Sequence, residues 1–166
     1  MTNAKDIASY FARKDESYEV FTSEHITRNG VSFSVGSARI NKYLHIAQNM
    51  WIAKTGELLF YQPLLAFDNG AVVEDVRLNY SSLIKNAARH TTQLSSDICI
   101  FLDKLYIMLK NATLDELINL SHQDSEWLDK SEFKTKKDQK MDSLSKKTEY
   151  KKQYADALII LDRIVL

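Results

Sequence analysis

The nine residues Leu120–Leu128, LSHQDSEWL, hold the side chains best suited to chemistry. His122, Asp124 and Glu126 alternate along the chain, and an imidazole beside carboxylates could bind a metal ion or transfer a proton. Residues two apart converge on one ligand only in a strand or loop. The alternative is a helix exit, in which His122 meets free carbonyls of the preceding helix and Ser125 caps the next turn.

We favour the helix exit, because a clear helix start precedes this stretch. Thr113 and Glu116 match a capping box, in which each side chain accepts the other residue's backbone N–H. A short amphipathic helix follows, and Trp127 is then expected to return its ring to the core. The sequence therefore predicts no catalytic residue, no metal and no cofactor. A metal-dependent or acid–base enzyme centred on His122 is the weaker alternative.

Other candidate residues are better explained by packing. His45 lies in an apolar helix and is expected to be a partly buried helix residue rather than a proton carrier. Trp51, Tyr43 and Met50 could anchor a partner, although aromatic residues at helical spacing are more typical of a core. Cys99 has no basic neighbour within one turn to activate its thiol, so we expect a buried structural cysteine.

The overall charge favours neither nucleic acid nor anionic membrane, because 22 basic residues balance 22 acidic ones. A lysine-rich segment, 134–152, leaves contact with nucleic acid as an alternative, but interspersed acids favour a solvated face. One cysteine excludes a disulfide within the chain. We expect a cytoplasmic protein without a membrane partner, because the apolar runs are too short to span a bilayer and no signal sequence is visible.

Scarce glycine and proline argue against a sandwich or barrel, which needs many tight turns. We expect a mainly α (α+β) fold, a compact single-domain helical bundle with a small β-hairpin or short strands. In the first half of the chain we predict a helix over Ala4–Arg13, a hairpin over about 26–35 that turns at Asn29-Gly30, and a central helix that is capped by Ser37 and ends at Gly56. Extended segments are expected near 58–66. In the second half we predict helices over Val73–Ala88 and from Ser95, a short helix after Thr113, and a long helix from about Asp142 whose first half is solvated.

Two separated motifs stand out in the middle of the sequence. The first comprises Leu44, His45, Ala47, Gln48 and Trp51, then Thr55, Gly56, Leu59 and Phe60, then Asn69, Gly70, Ala71 and Val72. The second comprises Leu120, Ser121, His122 and Trp127. Together they resemble the motifs of the Panacea domain family, in which Tyr-Gly-Pro-Val stands in place of Asn69–Val72. The resemblance implies a Panacea-like core over 1–130, while 131–166 forms a polar, lysine-rich segment and a C-terminal helix that packs on the same domain.

The resemblance implies binding rather than catalysis, because Panacea proteins include antitoxins and phage-associated proteins. It predicts a protein-binding module that neutralises a partner, a cognate toxin or a host protein, by direct binding. A phage-encoded inhibitor of a host defence or nucleic-acid-processing machine is the alternative. Self-association stays open. The candidate partner-binding residues are Trp51, Asn69, Gly70, His122 and Trp127.

Overall fold

The computed structural model describes residues 2–28, 30–90, 93–131 and 139–166, and these are mainly helical with two antiparallel strand pairs. The predicted fold class, mainly α with short strands, is thereby confirmed. The elements are α1 (Ala4–Lys14), β1 (His25–Arg28), β2 (Val31–Ser34), α2 (Val35–Thr55), β3 (Leu65–Phe67), β4 (Gly70–Val72), α3 (Glu74–Leu78), α4 (Tyr80–Asn86), α5 (Ser96–Leu109), α6 (Leu114–Ser121), α7 (Ser125–Ser131), α8 (Lys147–Gln153) and α9 (Ala155–Asp162).

Helix α2 is the centre of the packing, as its wide apolar stripe predicted. Helices α1, α5, α6, α8 and α9 and strand β4 all contact it. Gly56 ends the helix in the left-handed conformation, φ +77°, as expected. The predicted cap was wrong: Ser34, not Ser37, accepts the N–H of Ser37, because β2 runs directly into the helix.

The first hairpin forms where the sequence predicted it, with Ile26 opposite Phe33, while its turn residue Asn29 lies outside the described residues. The second pair does not lie at 58–66. Strands β3 and β4 instead flank the Asn69-Gly70 turn. Residues 139–141 line the other edge of β3, where the Ala66 N–H donates to the Gln139 carbonyl (3.0 Å) and the Met141 N–H to the Leu64 carbonyl (2.8 Å).

Two predicted long helices are interrupted. Asn79 separates α3 from α4, and its amide donates to the backbone and side chain of Asp75 (2.7 and 2.9 Å), which competes with helix continuation. The C-terminal helix divides at Tyr154 into α8 and α9. Its first half is not simply solvated, because the Tyr150 side chain is fully buried against α2. No helix within the described ranges has the length and apolar character needed to span a membrane.

Candidate functional site

A row of buried polar side chains runs along α2 inside the apolar core. None of them is more than 2% exposed, and each therefore needs a hydrogen-bond partner in the interior. They are Asn41, Lys42, His45, Gln48 and Asn49. Their partners outside the helix are on the segment after α2, on and just after the β3–β4 hairpin, on α6 and its connection to α7, and at Tyr154 between α8 and α9.

Asp124, in the connection between α6 and α7, is the centre of this network. Its Oδ2 accepts from His45 Nε2 (2.5 Å) and Asn49 Nδ2 (2.8 Å), and its Oδ1 accepts from the Tyr150 hydroxyl (2.7 Å) and the Glu126 N–H (2.8 Å). Burial alone raises the pKa of a carboxyl, but hydrogen bonds from His45, Asn49 and Tyr150 outweigh it and lower the pKa of Asp124 to about 2. One charged carboxylate thus joins α2, α7 and α8.

His45 continues the network to Ser121 and the hairpin. Its Nδ1 lies 2.8 Å from Ser121 Oγ, which also accepts the N–H of Ala71 (3.2 Å). With its proton on Nε2, the imidazole donates to Asp124 and accepts from the Ser121 hydroxyl. The order is that of a Ser–His–Asp relay, but Ser121 and His45 are each 1% exposed and Asp124 is 0% exposed, so a substrate carbonyl cannot approach Ser121. The geometry suits a structural link.

Of the polar side chains in this row, Lys42 has the fewest contacts to offset the cost of its burial. Its Nζ donates to the Ala71 carbonyl (3.1 Å), and no carboxylate of the described residues pairs with it. Burial lowers the pKa of Lys42 to about 7. The interior therefore holds a lysine whose charge is strongly disfavoured.

Gly70 allows the hairpin to approach this network. Its φ is +107°, and a Cβ there would lie 2.3 Å from Ser121 Oγ and 2.8 Å from Lys42 Cε. Any side chain would therefore push β4 away from both α2 and α6. Glycine is required here by close approach as well as by backbone conformation.

His122 and Trp127 hold the tip of the same hairpin. The Trp127 Nε1–H donates to the Phe67 carbonyl (2.9 Å), and His122 Nε2 donates to the Asp68 carbonyl (3.1 Å). The two rings are stacked at 4.2 Å. The predicted burial of Trp127 is confirmed, at 7% exposed. His122 caps α6 with its backbone N–H, and its ring binds the hairpin.

The alternating acids of the LSHQDSEWL stretch do not converge. Asp124 faces His45, while Glu126 faces Lys130 (3.7 Å) and the Ser145 hydroxyl (3.3 Å). Within the described ranges, His, Cys, Asp and Glu side chains nowhere gather in threes to hold a metal ion. Ser125 is not the cap of α7: Asp124 accepts the Glu126 N–H instead, while Ser125 Oγ makes no hydrogen bond in the described part of the chain.

Four of the five predicted partner-binding residues thus come together at the hairpin: Asn69, Gly70, His122 and Trp127. Trp51 lies elsewhere, nine residues beyond Lys42 and so about 14 Å along α2. Its partly buried ring meets Phe101 of α5 edge-on, with centroids 5.1 Å apart. It lines a groove of about 350 Å³ between α2, α5 and α9.

The remaining candidate residues are not part of the polar network. Tyr43 and Met50 are buried in the core, as packing predicted. The predicted burial of Cys99 was wrong, because the side chain lies at the edge of the core and is only partly buried, with its Sγ 3.8 Å from the Leu94 carbonyl. Of the lysine-rich segment, 132–138 lies outside the described residues, and α8 turns Tyr150 inward while Lys151 and Lys152 are exposed.

Sequence reasoning missed the network because its members are far apart in the chain. His45 and Asp124 are separated by 79 residues, and His45 and Ser121 by 76. One signal was available: polar side chains occupied core-facing positions of α2, and buried polar groups require partners.

The comparisons with known proteins identify no relative. No protein-family model matches the sequence, and no curated protein or solved structure matches it either. The likeness to the Panacea domain therefore depends on the motif residues alone.

Proposed function

We propose that this protein is a protein-binding module of the antitoxin type, which neutralises a partner protein by occupying its surface. The observation that carries the proposal is that two packed helices, α5 and α9, carry exposed isoleucines. They are Ile100, Ile107, Ile159 and Ile160, which are between 40% and 57% exposed, and we call them together the α5–α9 surface. Exposed aliphatic groups concentrated on two packed helices are typical of a protein contact.

The groove that contains Trp51 adjoins this surface. Ile100, Phe101 and Leu161 line it with Trp51, and Asp162 lies at its rim, where it pairs with Lys54 (3.7 Å). An apolar centre with a charged rim matches the anatomy of transient protein interfaces. The occupant we propose is an apolar segment of a partner protein.

The motif residues support the same assignment indirectly. Gln48 joins the two halves of the first motif, because its Oε1 accepts the Leu59 N–H (2.7 Å) and its Nε2 donates to the Phe60 carbonyl (3.0 Å). Ser121 and Trp127 hold the hairpin in the same way. Family-like residues thus stabilise the interior, which leaves the surface free to suit one partner. Such a scaffold is what an antitoxin family needs.

Co-expression with the product of the adjacent open reading frame tests the proposal. We expect that product to be toxic alone, and to be neutralised by and to co-purify with this protein. The double variant Ile159→Lys/Ile160→Lys should abolish both effects while retaining its circular dichroism spectrum. Leu78→Lys on α3 is the matched control, since Leu78 is 66% exposed but lies outside the α5–α9 surface.

Two results would refute the proposal. The first is a harmless neighbour that does not co-purify. The second is a wild-type dimer in size-exclusion chromatography that Ile159→Lys/Ile160→Lys converts to a monomer without changing neutralisation, because the surface would then bind a second copy.

A further inference from the structure

One face of α5 carries an acid, an isoleucine, a lysine and a second isoleucine in that order. Asp97, Ile100, Lys104 and Ile107 stand at positions i, i+3, i+7 and i+10 of the helix, so their side chains project from the same side of it. Ile100 and Ile107 are 48% and 40% exposed. Asp97, Ile100 and Lys104 also line the groove that contains Trp51. The two charges therefore flank Ile100, about one helical turn away on either side.

These two charges have no ion-pair partner of their own. Within the residues that the structure describes, neither Asp97 nor Lys104 forms an ion pair, and Lys104 makes only a long hydrogen bond to the Asp162 carbonyl (3.4 Å). The other two charges at the rim of the groove, Lys54 and Asp162, pair with each other (3.7 Å). The face thus presents one carboxylate and one ammonium group to a second molecule, about 10 Å apart along the helix.

The order of the charges makes this face complementary to itself. A two-fold axis perpendicular to α5 near residues 100–101 sets two copies of the helix antiparallel, with Asp97 of one copy opposite Lys104 of the other. The two Ile100 side chains then meet at the centre. A parallel alignment would instead place like charges together. Because a two-fold interface repeats every contact, the antiparallel arrangement forms two ion pairs around an apolar centre.

The size of the surface indicates a weak, reversible dimer. Helix α5 has 14 residues and is about 21 Å long, and α9 beside it has 8 residues. Two helices about 10 Å wide offer at most roughly 400 Å² per copy, whereas a standard stable interface buries about 800 Å² per partner. Interfaces this small are typical of transient contacts, so a partner that binds more tightly can displace the second copy.

We propose that the α5–α9 surface is covered by a second copy of this protein, in a two-fold dimer whose α5 helices run antiparallel, until the partner protein displaces that copy. The dimer follows from the charges and exposed isoleucines of α5, whereas the displacement rests on the proposed function. Self-association keeps exposed isoleucines away from water and from unrelated proteins. The surface is then open only to a partner that outcompetes the second copy.

Sedimentation equilibrium of the full chain over a concentration series tests the dimer. We expect a monomer–dimer equilibrium with a dissociation constant of roughly 1–100 μM. Asp97→Lys and Lys104→Asp should each weaken it roughly 10- to 100-fold, because each turns two attractive pairs into two repulsive ones. The double variant Asp97→Lys/Lys104→Asp restores opposite charges and should return to within about 3-fold of wild type. Lys85→Asp, at an exposed lysine on α4, changes the net charge as Lys104→Asp does and should leave the dimer unchanged.

Cross-linking tests the antiparallel alignment. Ile100 lies beside the two-fold axis, so Cys99→Ser/Ile100→Cys should form a disulfide between two copies on mild oxidation. Cys99→Ser/Ile107→Cys is the matched control on the same face. The two residues 107 would lie about 20 Å apart in the antiparallel dimer, too far for a disulfide, whereas a parallel dimer would cross-link at both positions.

Three results would overturn the dimer: a monomer at all concentrations up to about 1 mM, a dimer that Asp97→Lys leaves intact, or cross-linking at residue 107. A dimer that persists in the complex with the product of the adjacent open reading frame would overturn the displacement. A harmless neighbour would refute the proposed function, but the sedimentation and cross-linking results do not depend on that neighbour. The failure of one proposal is therefore distinguishable from the failure of the other.

Discussion

Replacing Lys42 with methionine should stabilise this protein at neutral pH. The Lys42 side chain is buried, and its pKa falls from 10.5 to about 7 because burial disfavours the ammonium ion. At 1.36 kcal/mol per pH unit, that difference costs about 5 kcal/mol at pH 7. Methionine removes this cost but leaves the Ala71 carbonyl without its donor, a loss of about 1–3 kcal/mol. The net expectation is a gain of roughly 2–4 kcal/mol in the free energy of unfolding.

Lys42 should also make the free energy of unfolding depend on pH in a predictable direction. Between pH 7 and 10.5 the unfolded chain binds a proton at Lys42 that the folded chain does not, so the stability of the wild type rises with pH. From pH 7 to pH 9 the rise due to Lys42 is about 2 kcal/mol, because the folded chain is itself half protonated at pH 7. Buried tyrosines such as Tyr43 and Tyr80, whose pKa values burial raises, act in the opposite direction only above about pH 10.

Urea unfolding at pH 7, 8 and 9 measures both effects. Lys42→Met should remove most of the slope between pH 7 and 9. Lys54→Met is the matched control on the same helix: its side chain is 44% exposed, and we expect a change within about 0.5 kcal/mol and an unaltered slope. The reasoning is refuted if Lys42→Met is less stable than wild type at pH 7, or if the slope survives the substitution.

Two further predictions concern the same network. Asp124→Asn should lower the free energy of unfolding at pH 7 by roughly 2–4 kcal/mol, because one carboxylate accepts hydrogen bonds from α2, α7 and α8. The pKa of Asp124 is about 2 against an ordinary 3.8, so wild type loses about 2 kcal/mol in all as pH falls from above 4 to below 2, and roughly half of this is lost by pH 3. Urea titrations at pH 7 and 3 should show a smaller loss in the variant. An identical acid sensitivity in the two proteins would contradict this. Gly70→Ala should cost more than about 2 kcal/mol through contact with Ser121, whereas Gly56→Ala, at φ +77° with open space, should cost about 1 kcal/mol in thermal unfolding. Equal losses would show that close approach at Gly70 is unimportant.

Local patterns predicted the elements whose signals lie within a few residues. The capping box of Thr113 and Glu116 forms with both of its hydrogen bonds, and Ser95 caps α5. The Asn69-Gly70 pair predicts a turn, but the two strands flank this turn and not Pro63, where the sequence predicts them. Periodicity alone could not reveal the break at Asn79, where a side chain competes for the helical carbonyl of Asp75.

The buried polar network could not be predicted from such local patterns. His45 was expected to be partly buried and chemically quiet, yet it is fully buried and bonded at both ring nitrogens. The sequence groups Asp124 with His122, but its carboxylate binds His45 instead. A histidine's nearest acid in sequence need not be its partner in space, since partners across 79 residues follow from tertiary packing alone.

The position of Asp124 in the chain also determines the order in which its contacts can form during synthesis. Its donors come from residues 45 and 49, made long before it, and from Tyr150, made later. Until Tyr150 leaves the ribosome, the nascent chain holds a carboxylate whose site is open on one side, and α2 lacks the cover of α8. The contact with Tyr150 is therefore the last of these to form, and a nascent chain that lacks it is a better target for chaperones and proteases than the folded protein.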